Sequence, residues 1–101
     1  MEMTYRTDGR DLIIHLCGEL DHHSAREVMQ SVARWIDQNL PKKTILDLSG
    51  LSFMDSSGIA VVLRAKRRME SMQGNLAVIN IPRQAARVLE TAGLGRCIDL
   101  V

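Results

Sequence analysis

The chain has 101 residues, 46% of them apolar, and its thirteen Lys and Arg against twelve Asp and Glu leave a net charge of +1. That length supplies one core, since a second domain needs roughly 50 residues of its own. It leaves no room for both an enzyme-sized sheet and a large substrate cavity. No window nears the roughly 20 unbroken apolar residues of a membrane span, and so balanced a charge gives no strong field for nucleic acid or anionic lipid. The start, Met1 to Arg6, lacks the apolar core of a secretory signal. Cys17 and Cys97 stand in no metal or redox spacing, so reduced thiols and a soluble, cytoplasmic single domain are expected.

Elements follow in chain order. Leu12 to Cys17 alternates as a strand, with Leu12, Ile14 and Leu16 on one face and Ile13, His15 and Cys17 on the other. Met3 to Thr7 pairs with it through a turn at Asp8-Gly9, where Gly supplies a positive φ. Gly18 is expected to end the strand. Ser24 to Gln38 reads as a helix with an apolar stripe of Ala25, Val28, Val32 and Trp35/Ile36. Ser24 with Glu27 fits a capping box, with Asp21 a competing cap. Pro41, Lys42 and Lys43 close that unit.

Thr44 to Leu48 is the next strand, and Ser49 to Gly58 a polar, glycine-containing connection. A second helix runs from Ser57 to Met72, apolar at its start and basic later (Arg64, Lys66, Arg67, Arg68), with Gly74 as the left-handed residue past its end. Leu76 to Ile79 is a strand buried on both faces. Pro82 suits the first position of a third helix striped by Ala85, Val88, Leu89 and Ala92 and ended by Gly93. Cys97 to Val101 reads as a last strand. The order β-β-α-β-α-β-α-β implies an α/β domain with a mostly parallel mixed sheet and an antiparallel hairpin at one edge. With only Tyr5, Trp35 and Phe53 as aromatics, the core is aliphatic and offers no stacking platform for bases.

Two segments could carry chemistry. Asp55-Ser56-Ser57-Gly58 lies where a loop after a strand feeds a helix. A hydroxyl there meets unpaired N–H groups and the positive end of the helix dipole, a place that tolerates an added phosphate. The plainer reading is that Asp55 or Ser56 caps the helix. The second segment is Gly18-Glu19-Leu20-Asp21-His22-His23-Ser24. If the strands before the two segments are neighbours, Glu19, Asp21 and Asp55 share the edge where open α/β sheets place binding sites. They then form either an acidic docking surface or solvated loop charge.

Other chemistries find little support. Adjacent His22 and His23 point apart in either regular structure and lack a third ligand at usable spacing, so no metal is expected. Ser56 is not in a Gly-x-Ser-x-Gly elbow and every histidine precedes it, which argues against a hydrolase. No Walker or dinucleotide pattern exists, so no cofactor is expected. A phosphoaspartate receiver would need an adjacent acidic pair, which Glu19 and Asp21 are not. The run from Arg64 to Arg68 reads as the wet face of its helix, not a nucleic-acid contact.

Glu19-Leu20-Asp21-His22-His23 and Phe53-Met54-Asp55-Ser56-Ser57-Gly58 together resemble the anti-sigma factor antagonists of the STAS domain family, closest to the sporulation antagonists of the anti-sigma-F factor. The resemblance covers essentially the whole chain as one domain, 1–101, and either block alone would be weaker. It implies a non-enzymatic anti-anti-sigma factor. Its unphosphorylated form binds an anti-sigma factor that is itself a serine kinase using ATP, and so releases the sigma factor. Phosphorylation of the first serine of Asp-Ser-Ser-Gly, here Ser56, switches binding off until a PP2C-type phosphatase restores it. Glu19, Leu20, Asp21, His22, Asp55, Ser57 and Gly58 match positions that flank the acceptor or meet the partner. No membrane or direct nucleic-acid partner is implied. Family members commonly continue into a further C-terminal helix, which this sequence lacks after Val101, and part of one sheet face is expected to be less covered. A rival within the family is a scaffold domain of a stress-signalling complex that binds partners without a phosphate switch.

Overall fold

The computed structural model describes residues 1–96 and 98–100; Cys97 and Val101, both in the expected last strand, lie outside the described residues. The elements are β1 (Glu2–Asp8), β2 (Asp11–Leu20), α1 (Ala25–Asn39), β3 (Lys43–Met54), α2 (Ser57–Ser71), β4 (Asn75–Ile79), α3 (Arg83–Thr91), a 3-10 turn (Leu94–Arg96) and β5 (Asp99–Leu100). They form one sheet in the order β1-β2-β3-β4-β5. β1 runs antiparallel to β2, and every later pair is parallel. The β1–β2 turn closes at Gly9, whose φ of +61° is the positive value that the Asp-Gly pair is suited to provide.

Each parallel crossover carries its helix over the same face, because a right-handed connection that always steps the same way along the sheet returns on the same side. Leu12, Ile14 and Leu16 of β2, Leu46 and Leu48 of β3, and Leu76 and Val78 of β4 line that face. They form one core with Val28, Val32 and Ile36 of α1, Val61, Val62, Ala65 and Met69 of α2, and Ala85 and Leu89 of α3. The residues that alternate with them, among them Ile13, His15, Ile45, Asp47 and Ala77, form the opposite face. Trp35 is half-buried beside Tyr5 of β1, with ring centroids 4.7 Å apart.

Several local expectations are corrected. Gly18 does not end β2: with φ +113° it absorbs a register irregularity, and the strand continues to Leu20. β3 likewise runs on through the stretch expected to be a loop, pairing Cys17 with Gly50 and Leu20 with Met54. Gly50 is needed there for space, since a Cβ would lie 2.8 Å from the Cys17 Sγ and 3.0 Å from the Leu16 carbonyl oxygen. The left-handed residue after α2 is Gln73 (φ +59°), not Gly74. Gly74 instead admits close packing, because a Cβ would meet Met69 Cε at 2.6 Å and the Lys42 carbonyl at 2.8 Å. Pro82 stands one residue earlier than expected, at the N-cap of α3, where its ψ of 152° is extended.

Candidate functional site

Extension of β2 and β3 to Leu20 and Met54 makes the site. Because the two strands are parallel and paired to their last residues, the loops that leave them start side by side. The Asp55 N–H donates to the Leu20 carbonyl at 3.1 Å, and the His22 N–H donates to Asp55 Oδ2 at 3.2 Å. The two predicted segments are therefore stitched together. Gln84 of α3 secures the end of β3 from the other side: its Oε1 accepts the Met54 N–H at 2.8 Å and its Nε2 donates to the Met54 carbonyl at 2.7 Å. It takes the place of a neighbouring strand where β4 has already stopped. Nothing in the sequence flags Gln84, since the pairing spans thirty residues and uses an ordinary exposed amide.

Both helix starts are held by an aspartate, not by a serine. Asp55 Oδ1 accepts the Ser57 N–H at 2.7 Å, and its carbonyl accepts the Gly58 N–H at 3.0 Å. Burial pushes the Asp55 carboxyl up, but the N–H and hydroxyl of Ser57 and the N–H of His22 outweigh it and hold it below the usual carboxylate range. At α1, Asp21 Oδ1 accepts the N–H groups of His23 (2.9 Å) and Ser24 (3.1 Å), and its carbonyl accepts that of Ala25 (2.9 Å). The Ser24 N–H, set against partial burial and reinforced by the His23 N–H and both histidine rings, keeps the Asp21 carboxyl low. The expected capping box of Ser24 and Glu27 does not form. The Ser24 hydroxyl turns back to the Glu19 carbonyl at 2.8 Å, and Asp21 takes the capping role.

The Ser56 carbonyl accepts the Ile59 N–H at 3.1 Å, but the Ser56 hydroxyl is left free of structural duty. Ser56 stands exposed at the N-cap of α2 with helical torsions (φ −62°, ψ −17°), and its hydroxyl makes no capping bond. Glu19 is exposed beside Asp21 and Ser24, Asp21, Asp55 and Ser57 are half-buried, and His22 is exposed. Leu20, fully buried, and Gly58, buried against Met54, lie beneath this surface and shape it without presenting a side chain to a partner. The rings of His22 and His23 do not splay apart as expected. They sit in a turn instead of a regular element, with centroids 3.9 Å apart, and approach Asp55 (3.8 Å) and Asp21 (3.9 Å) respectively. Among the described residues no group of three or more His, Cys, Asp and Glu could hold a metal ion.

A second polar cluster sits on the helix-free face. Asp47 Oδ2 lies 3.1 Å from His15 Nδ1 on the neighbouring strand, and Oδ1 accepts the Ser49 N–H at 3.0 Å and the Asn80 amide at 3.3 Å. Burial would raise this carboxyl, but Ser49, Asn80 and His15 together hold it below its ordinary value. A depressed folded-state pKa means stability that is fully present above the unfolded value, about 4, and lost as pH falls through the folded one. Asp47→Asn is accordingly expected to flatten the dependence of unfolding free energy on pH below about pH 4; an unchanged slope in urea titrations would remove Asp47 from the acid response.

A family model described as the STAS domain matches residues 2–101. The chain belongs to the STAS domain family. An anti-sigma F factor antagonist of Lysinibacillus sphaericus is 37% identical over 84 residues, which is 83% of this chain and 72% of that protein. Among solved structures, the anti-sigma factor antagonist SpoIIAA in its unphosphorylated form superposes with a TM-score of 0.84 at 30% identity, covering 99% of this chain and 88% of that one. The phosphorylated form of SpoIIAA, a Bacillus cell fate determinant, matches with a TM-score of 0.75 at 30% identity over 99% and 91% of the two chains. The STAS fold expected from the strand and helix order is thus the fold of this chain. Among the described residues no helix is long and apolar enough to cross a membrane.

Proposed function

We propose that this STAS domain is an anti-sigma factor antagonist whose partner choice is set by the covalent state of Ser56. The observation that carries the reading is the division of labour at the start of α2: Asp55 makes the cap, and the adjacent Ser56 hydroxyl is exposed and uncommitted. A phosphoacceptor needs this combination, because a hydroxyl already bonded into a cap must be released before it can attack a phosphoryl donor. The likeness to antagonists of anti-sigma F factor, and to a protein solved with and without its phosphate, supports the same conclusion.

In this reading the unmodified chain binds an anti-sigma factor through Glu19, Asp21, His22, Asp55 and Ser57, and so frees the sigma factor. The anti-sigma factor is also a serine kinase that transfers the γ-phosphoryl of ATP to Ser56, and a PP2C-type phosphatase reverses the modification. The chain itself performs no catalysis; it supplies the attacking hydroxyl and a rigid platform. Incubation with the anti-sigma kinase and ATP is expected to add about 80 Da to the intact mass. Ser56→Ala is expected to bind the kinase yet gain no mass, and Ser57→Ala to remain a substrate. Loss of the gain in Ser57→Ala but not in Ser56→Ala would move the acceptor by one residue. No gain in the wild-type chain would favour a domain that binds without a switch.

A further inference from the structure

A net charge of +1 conceals a segregation of charge. Glu19, Asp21 and Asp55 gather at the end of the sheet where β2 and β3 stop, while Arg26, Arg64 and Arg67 lie exposed on the two helices that run back from that end. Between α1 and α2 there is a groove of about 380 Å³, floored by Val32, Ile36, Val61 and Ala65, with Arg26 on the α1 wall and Arg64 on the α2 wall. Farther along, Arg68 and Asp37 bridge the two helices, Nε to Oδ1 at 2.9 Å and the second guanidinium nitrogen to Oδ2. That pair consumes the charge of Arg68. Arg26 and Arg64 make no ion pair among the described residues.

We infer that the α1–α2 groove receives an acidic segment of the anti-sigma partner, continuing the contact that begins at the switch surface. The inference rests on the proposed function. Two uncompensated guanidiniums on opposite walls of one groove, staggered along its length, favour carboxylates. The floor residues are already no more than 3% exposed, so an apolar small molecule would remove little surface from water by covering them. An occupant must therefore draw on charge and on contacts beyond the groove, which a protein segment can do. Continuity points the same way: Arg26 lies two residues past Ser24, and Arg64 lies eight past Ser56, about 12 Å along the helix at 1.5 Å per residue. A partner whose kinase site reaches Ser56 spans that distance easily. The surface is then bipolar, and the partner must bring basic groups to the sheet end and acidic groups to the groove.

The test is the full chain carrying Arg26→Glu and Arg64→Glu, titrated against the anti-sigma kinase at low and at physiological salt. Affinity is expected to fall at least tenfold at low salt and the deficit to shrink as salt rises, since screening acts over about 10 Å at 0.1 M. Both side chains are exposed, so circular dichroism and thermal unfolding are expected to match the wild type, and the Arg26→Lys, Arg64→Lys chain to retain binding. Ser56→Asp is measured on the same instrument. If it weakens binding while the charge reversal does not, the groove inference fails and the switch stands. If the wild-type chain does not bind the kinase, both fail. If the reversal abolishes a dimer of the isolated chain and leaves kinase affinity intact, the groove belongs to a second copy and the inference is overturned.

Discussion

Phosphate on Ser56 is expected to weaken binding to the anti-sigma partner more than a hundredfold while leaving the backbone of the domain in place. The modification adds between about 1.5 and 2 negative charges beside Asp55, which itself lies within electrostatic reach of Asp21, on the surface proposed to meet the partner. Like charges forced together in an interface cost several kcal/mol, and about 3 kcal/mol already exceeds a factor of one hundred. The backbone has no reason to move. The N–H groups of Ser57 and His22 are held by Asp55, and the modified oxygen surrenders no bond that the fold relies on. The positive end of α2 favours the anion where it stands. Amide chemical-shift changes are therefore expected at the start of α2 and in the facing loop from Asp21 to Ser24, and changes spread across the sheet would show that the switch is conformational instead. The second phosphate ionisation lies near pH 6, so release should be more complete at pH 7.5 than at pH 5.5. Asp55, held below the usual carboxylate range, stays charged across that interval and does not blur the comparison.

The parallel order of the sheet was legible because β2, β3 and β4 each carry an apolar run soon after a polar start, and because α1 and α2 carry clean stripes. The length of β3 was not. Its second half buries Leu48, Leu51 and Met54 and exposes the residues between them, a period of three that no regular strand shows. Register irregularities near Gly18 produce that spacing, and they depend on a partner strand that a local reading cannot see. The site was visible in part for the same reason. Asp55 and Ser56 stood out through their place before an apolar helix, but which of them caps could be decided only by the bond to Ser57. The stitching of Asp21–His22 to Asp55 follows from pairing β2 with β3 to the last residue. Gln84 and the apposed rings of His22 and His23 carry no periodic or compositional signal at all.

Gly58 packs directly on Met54 two residues past Ser56, and a double-mutant cycle should expose their coupling. A Cβ at Gly58 would lie 2.5 Å from Met54 Cγ, 2.6 Å from Sδ and 2.9 Å from Cε. A methionine at the surface would swing away, but Met54 is wholly buried and has nowhere to go. Gly58→Ala is therefore expected to destabilise the domain by about 1–2 kcal/mol, the overpacking cost exceeding the gain in helix propensity. Met54→Ala alone opens a cavity and costs about 2–5 kcal/mol. In the double variant the new methyl fills part of that cavity and the clash is gone, so the combined loss should fall short of the sum by about 1 kcal/mol or more. The coupling reaches function because Gly58 lies two residues past Ser56, and a first turn of α2 lifted from β3 carries the hydroxyl with it. Phosphorylation of Gly58→Ala by the anti-sigma kinase should slow, and the second substitution should restore part of the rate. Strict additivity in urea unfolding would mean that Met54 yields to the methyl without cost. The close approach of α2 to the end of β3 would then not be what fixes the acceptor.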